Sequence, residues 1–86
     1  MCFQVYSIFD RVVREYSPTP IFVHNLEDCK RRVAAAYNGN PFVKDLQLYR
    51  IGTYDTLTGY IGFDSNVPDF ICDLSELYEV KVNGEA

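Results

Sequence analysis

Apolar and polar residues alternate in short runs along most of the chain, and one stretch alone carries helical spacing. Cys2–Asp10 is rich in β-branched and aromatic residues with apolar groups on both alternating sides: Phe3, Val5 and Phe9 point one way, Tyr6 and Ile8 the other. Such a strand is covered on both faces, or covered on one face and paired with a second subunit on the other. Arg11–Pro20 is a connector. Pro18 and Pro20 in Ser-Pro-Thr-Pro exclude a regular helix and favour extended chain, while Arg11–Tyr16 reads as one helical turn or an irregular loop. Ile21–His24 is a short apolar extension into the next element.

The helical stretch follows Asn25, a good N-cap, with Glu27 and Asp28 in the first turn where the helix dipole favours acids. Leu26, Cys29, Val33, Ala36 and Tyr37 form its apolar stripe, and Asn38-Gly39-Asn40-Pro41 stops it. Arg31 then faces solvent, and Lys30 and Arg32 flank the stripe on opposite sides, where their stems cover the helix–sheet seam.

Leu46–Tyr54 is a second strand and Tyr60–Phe63 a third. In the loop between them Asp55 bonds the backbone of a type I turn and Gly59 takes the left-handed conformation. Gly52 marks a bulge or the close approach of another backbone or ligand. Asp64–Pro68 is a loop, Phe70–Leu74 a fourth strand, Glu76–Val82 a short helix or an edge strand, and Asn83–Ala86 a frayed end. The expected fold is α+β: a small, mostly antiparallel sheet of about four strands in β-α-β-β-β order, with one main helix packed on one face. It forms a single domain over residues 1–86, with a core at 3–74 and an acidic segment at 75–86.

Eighty-six residues leave room for one small domain. A chain this short buries only about 60–65% of its unfolded surface. With 13 Phe and Tyr side chains, some aromatics are expected at the surface or in a subunit interface, which points to a homodimer. No apolar run approaches the ~20 residues that span a bilayer. The first residues lack a signal peptide's basic start and apolar core. Three cysteines without a Cys-x-x-Cys pair speak for a reducing compartment rather than a disulfide framework.

The net charge of −4 is unevenly spread. Residues 1–50 hold seven basic residues against five acids, and residues 51–86 hold only Lys81 against seven acids. Phosphate binding therefore needs a fold that segregates the two halves, and the bland alternative is that these charges form solvated faces.

Catalysis finds little support: His24 is the only histidine, Cys29 lies on the apolar helix stripe, and no phosphate-binding glycine loop or zinc spacing occurs. The expectation is a non-enzymatic domain without cofactor, metal or small-molecule substrate. The remaining signal is aromatic residues among basic ones: Tyr49, Arg50, Tyr54 and Tyr60 either form a stacking platform for bases or are cross-strand pairs that stabilise a small sheet. Strand alternation puts Tyr49, Ile51 and Thr53 on one face and Leu48, Arg50 and Tyr54 on the other. Tyr49 is then the core residue and Arg50 with Tyr54 the surface pair, unless a bulge at Gly52 shifts the split.

The chain resembles the small nonstructural protein of the gokushoviruses, single-stranded DNA phages of the microvirus group. The resemblance rests on Val5-Tyr6-Ser7-Ile8-Phe9-Asp10, on Tyr16 with the later Pro20-Ile21-Phe22, and on Tyr37-Asn38. It rests most of all on the run from Asp45 through Leu48-Tyr49-Arg50-Ile51-Gly52-Thr53-Tyr54-Asp55 to Thr58-Gly59, with Pro68 after it. The chain departs in having Ile21 where the family pattern has phenylalanine, and in its longer acidic end. The resemblance implies a non-virion, DNA-binding protein of the infected bacterial cytoplasm, acting in the switch to single-stranded genome synthesis and packaging, with no catalytic residues.

The expected function is thus a dimeric single-stranded-DNA-binding factor. Arg11, Arg14, Lys30, Arg31, Arg32 and Arg50 would track phosphates, and Tyr54 and Tyr60 would stack bases. The alternative is a factor that engages a phage replication or capsid protein, or a host protein, without touching DNA. A continuous positive strip favours the first and scattered charge the second.

Overall fold

The computed structural model describes residues 2–63 and 67–78. Two long strands, β1 (Cys2–Asp10) and β4 (Leu46–Asp55), run antiparallel through the middle of one sheet. The outer edge of β1 is shared end to end by β2 (Glu15–Tyr16) and β3 (Ile21–Val23). The outer edge of β4 is shared in the same way by β5 (Tyr60–Gly62) and β6 (Asp69–Asp73). Every pairing is antiparallel, and a single helix, α1 (Leu26–Ala36), lies on one face. This is the expected α+β arrangement, with two additional short strands, β2 within the segment read as connector and β3 within the short apolar extension Ile21–His24.

Those two strands have a local cause. Asp10 accepts the Val12 amide on its side chain and the Arg14 amide on its carbonyl, folding residues 11–14 into a hairpin loop that returns Tyr16 opposite Phe9. Ser17 still donates to the Ile8 carbonyl, and then Pro18 and Pro20, which have no N–H to give, lift the chain off the edge. It returns at Ile21, opposite Tyr6.

The β4–β5 hairpin repeats the construction: Asp55 accepts the Leu57 amide on its side chain and the Gly59 amide on its carbonyl. Both loops close on a left-handed residue, Gly59 at φ 74° and Arg14 at φ 62°. Glycine adopts this conformation freely, whereas an arginine held there costs on the order of 1 kcal/mol.

Two bulges set which side chains face the helix. Val5 pairs with Gly52 but Tyr6 pairs with Arg50, so Ile51 is an extra residue in β4. Leu48 pairs with Cys72 but Tyr49 with Phe70, so Ile71 is extra in β6. The core between sheet and helix holds Tyr6, Ile8, Val23, Cys29, Val33, Leu46, Leu48, Cys72 and Leu74, with Leu26 and Tyr37 packed at its margin. Each large aliphatic side chain buried here contributes roughly 1.5–3 kcal/mol of transfer free energy. Ala36, expected in the helix stripe, is exposed, because the stripe narrows to Cys29 and Val33.

α1 starts as expected, with the Asn25 side chain accepting the Asp28 amide at 2.8 Å. Its last turn has no basic residue. Instead the Tyr78 hydroxyl donates to the Ala34 carbonyl at 2.6 Å from a 3₁₀-helix, Leu74–Tyr78, that continues directly from β6. Residues 75–78 of the acidic segment therefore pack on the helix, with Leu77 against the core. The remainder of that segment, the frayed end expected at Asn83–Ala86 and most of the Asp64–Pro68 loop lie outside the described residues.

Candidate functional site

Among the described residues, the sheet face turned away from α1 has no covering layer. The register places Phe3, Val5, Ser7 and Phe9 of β1 on it, with Tyr16, Phe22, Tyr49, Tyr54, Ile61 and Phe70 from the neighbouring strands. Two aromatic rows cross the sheet. In the first, Tyr49 is the hub, standing edge-on at 5.8 Å to Phe9, 5.5 Å to Tyr16 and 5.6 Å to Phe70. In the second, Phe22 and Tyr54 meet edge to face at 5.3 Å, and the Phe63 ring lies over Gly52. Between the rows Val5 and Ser7 are buried by these larger neighbours.

The rings are partly open to solvent. Tyr16, Phe22 and Phe70 are 41%, 39% and 51% exposed, and Phe63 is 71% exposed. Edge-to-face packing fixes each ring by its neighbours, worth about 0.5–1.5 kcal/mol per pair beyond area burial, and leaves faces free for a further planar group. Among the described strand residues this face carries one carboxylate, Asp73, and it is engaged by the Gln47 amide at 3.0 Å. The other oxygen-bearing end of that amide accepts the Tyr49 hydroxyl at 3.3 Å. Burial, with the Tyr49 hydroxyl beside it, raises the Tyr16 phenol above its ordinary value, so it is a neutral hydrogen-bonding group at physiological pH.

The basic residues expected to line a groove do not converge. Arg31 and Arg32 lie on the outer side of α1, and both donate to Asp28, at 2.9 and 3.1 Å. The Arg31 hydrogen bond holds the Asp28 carboxyl below its ordinary pKa. Lys30 is on the same helix, at the groove between α1 and the 3₁₀-helix that Glu76 also lines. Arg50 points to the helix side of the sheet, donating to Gln4 at 2.8 Å with Asp69 at 3.9 Å. Arg11 and Arg14 sit in the β1–β2 loop, with Arg11 donating to the Lys44 carbonyl at 3.1 Å.

The tyrosines also separate. Tyr54 is on the open face, whereas Tyr60 pairs with Asp55 on the opposite one and is 74% exposed. The expected surface pair of Arg50 and Tyr54 is thus split across the sheet, and Tyr49, expected in the core, belongs to the open face. The split follows from the extra residue at Ile51, which shifts alternation by one beyond Arg50, and Tyr49 faces outward because its neighbour Leu48, paired with Ile8, takes the core side.

Of the residues with catalytic chemistry, His24 lies against the Phe3 ring at the margin of this face, at 4.5 Å, whereas Cys29 and Cys72 lie in the core on the other side of the sheet. Burial pushes the Cys29 thiol up to about 11 and raises that of Cys72, so neither is a thiolate at neutral pH. Among the described residues no three of His, Cys, Asp and Glu converge in a way that holds a metal ion. Among the described residues no helix is long and apolar enough to cross a membrane.

Tyr16, Phe22 and Phe70 are the exposed rings of the open face that alternation in Leu46–Tyr54 alone does not reveal. One signal for them is present in the chain: Phe3, Val5 and Phe9 share the side of β1 opposite Tyr6 and Ile8, so a strand with two apolar sides calls for partners on both.

No curated protein and no solved structure matches this chain. Residues 3–77, which include both hairpins and every ring of the open face, match the family model described as phage ORF5 protein, and the chain belongs to that phage protein family.

Proposed function

We propose that the protein is a non-enzymatic phage factor that binds single-stranded DNA by stacking bases on the aromatic face of its sheet. The observation that carries this reading is the antiparallel sheet, uncovered among the described residues, with two aromatic rows on the face opposite the helix, the arrangement by which sheet platforms stack successive unpaired bases. Single-stranded rather than duplex nucleic acid fits, because bases must be splayed out to reach flat rings. The resemblance to gokushovirus nonstructural proteins supports DNA over RNA as the ligand. The same resemblance supports a role in genome synthesis and packaging within the bacterial cytoplasm as part of this proposal.

Stacking is worth roughly 1–3 kcal/mol per base. The phosphate term is small, since the helix arginines and Arg50 are engaged with Asp28 and Asp69. Affinity therefore falls only gently with salt, with a slope no steeper than about −2 if two or three cations meet phosphates. The test is fluorescence anisotropy of a labelled oligothymidylate across a salt series, for the native chain and for Phe70→Leu and Phe22→Leu. These substitutions keep apolar volume and remove the ring. The expected result is about tenfold weaker binding for each with an unchanged salt slope. Native protein that is folded and fails to bind at low salt sinks the proposal.

The second reading is that a second copy of the chain covers this face, or that a phage or host protein does. It is favoured by the flat shape, 43 × 31 × 21 Å, which is one sheet and one helix thick. A monomer by light scattering that binds the oligonucleotide excludes the second copy. A stable dimer that loses its association in Phe70→Asp and never binds DNA selects it.

A further inference from the structure

The two hairpins are built alike, and the sequence closes one with glycine and the other with arginine. Gly59 and Arg14 occupy the same position in their loops, each donating its amide to an aspartate carbonyl four residues back at 2.7 Å, each left-handed. Nothing in the loop demands an arginine there: its side chain makes no ion pair or hydrogen bond among the described residues, and it is exposed. Arg14 thus carries a backbone strain that glycine avoids in the other loop, and its guanidinium, unpaired among the described residues, is open to a ligand.

Its surroundings say what that is. Lys44, also exposed and without an ion pair among the described residues, adjoins the same loop, since its carbonyl accepts the Arg11 guanidinium and the neighbouring Asp45 carbonyl accepts the Arg11 amide. The acids at this end are Asp10, turned inward onto the Val12 and Val13 amides, Asp45, 4.0 Å from Arg11, and Glu15. Two residues beyond Arg14 the chain reaches Tyr16, a ring of the first aromatic row.

Resting on the reading of the open face as a single-strand platform, we propose that Arg14 and Lys44 form a phosphate contact at its β1–β2 end. The backbone of the stacked strand leaves the first aromatic row over this hairpin, and the electrostatic share of binding resides there rather than on Arg31 and Arg32.

The substitution Arg14→Gly tests this without risk to folding, because it relieves strain. It is expected to raise the melting temperature by about 4–8 °C. It should weaken oligothymidylate binding about threefold or more at low salt and make the salt slope shallower by about 0.7. Arg14→Lys retains the slope, and the double substitution of Arg31 and Arg32 by Gln leaves it unchanged. An Arg14→Gly protein that is stabilised yet keeps native affinity and slope overturns the proposal and assigns the hairpin, with its exposed Val12 and Val13, to a protein partner. Loss of slope in the Arg31/Arg32 variant overturns it as well. Failure of the platform reading is separately visible, as absence of binding in the native chain or indifference to Phe70→Leu.

Discussion

A single residue, Gly52, decides how the sheet is put together. A Cβ at this position would run into the Gly62 carbonyl oxygen, with the Phe63 ring beside it. The close approach follows from the extra residue at Ile51, which bends β4 just where its outer partner changes from β6 to β5. Gly52→Ala is therefore expected to destabilise the fold by about 1–3 kcal/mol, although alanine is small, because backbone must move to admit it. A melting temperature unchanged from the native chain would show that the β4–β5 junction tolerates a side chain. Gly52 was legible in the sequence as a bulge or close approach, but its effect on neighbouring side chains was not. Alternation carries no mark of where one extra residue enters the pairing, so Arg50 and Tyr54 read as one face when they lie on two.

At the scale of elements, local chemistry and tertiary contact divide the work. The start of α1 is written locally, in Asn25 and the amide it accepts. Its end is not: with no cation in the last turn, the Ala34 carbonyl is satisfied by a hydroxyl 44 residues away in sequence. Tyr78→Phe keeps the ring and removes that hydrogen bond, at an expected cost of about 1 kcal/mol in thermal or urea unfolding. A loss below about 0.3 kcal/mol would mean that water replaces the hydroxyl without penalty. The hairpins show the same division. Asp55 and Gly59 announce a turn, whereas Asp10 and Arg14 make the same turn without its usual glycine, and Arg11–Tyr16 therefore reads as a helical turn or an irregular loop rather than as the approach to β2.

At the scale of the whole molecule, the described residues form two layers, and this shape sets both charge distribution and stability. Folding does not gather the cations of residues 1–50 into a groove. It places them at the helix surface, inside the sheet and at the β1–β2 end, where acids answer most of them. What it gathers instead is aromatic surface.

The acidic segment also acquires two parts. Leu77 and Tyr78 close the helix side of the core, so a chain ending at Leu74 is expected to melt at least about 10 °C below one ending at Tyr78, from loss of roughly 2–3 kcal/mol. Calorimetry of the two truncations decides this, and equal melting points would return residues 75–78 to the status of a tail. Any effect of the segment's charge on DNA binding is to be measured with the cut after Tyr78. The residues removed there, Glu79, Lys81 and Glu85 among them, take away one net negative charge, and binding tightens only slightly.

The sequence by itself determined the fold class, the one helix and its cap, the β4–β5 turn and the two-sided character of β1. These depend on periodicity, on turn residues and on neighbours within a few positions. Its matches to the gokushovirus pattern pointed to a phage protein, as the family membership shows. Only the tertiary structure decided which aromatics share a face and which cations have partners. Both depend on register, and register is settled by two inserted residues, Ile51 and Ile71, and by strand pairings between positions as far apart as Cys2 and Asp55.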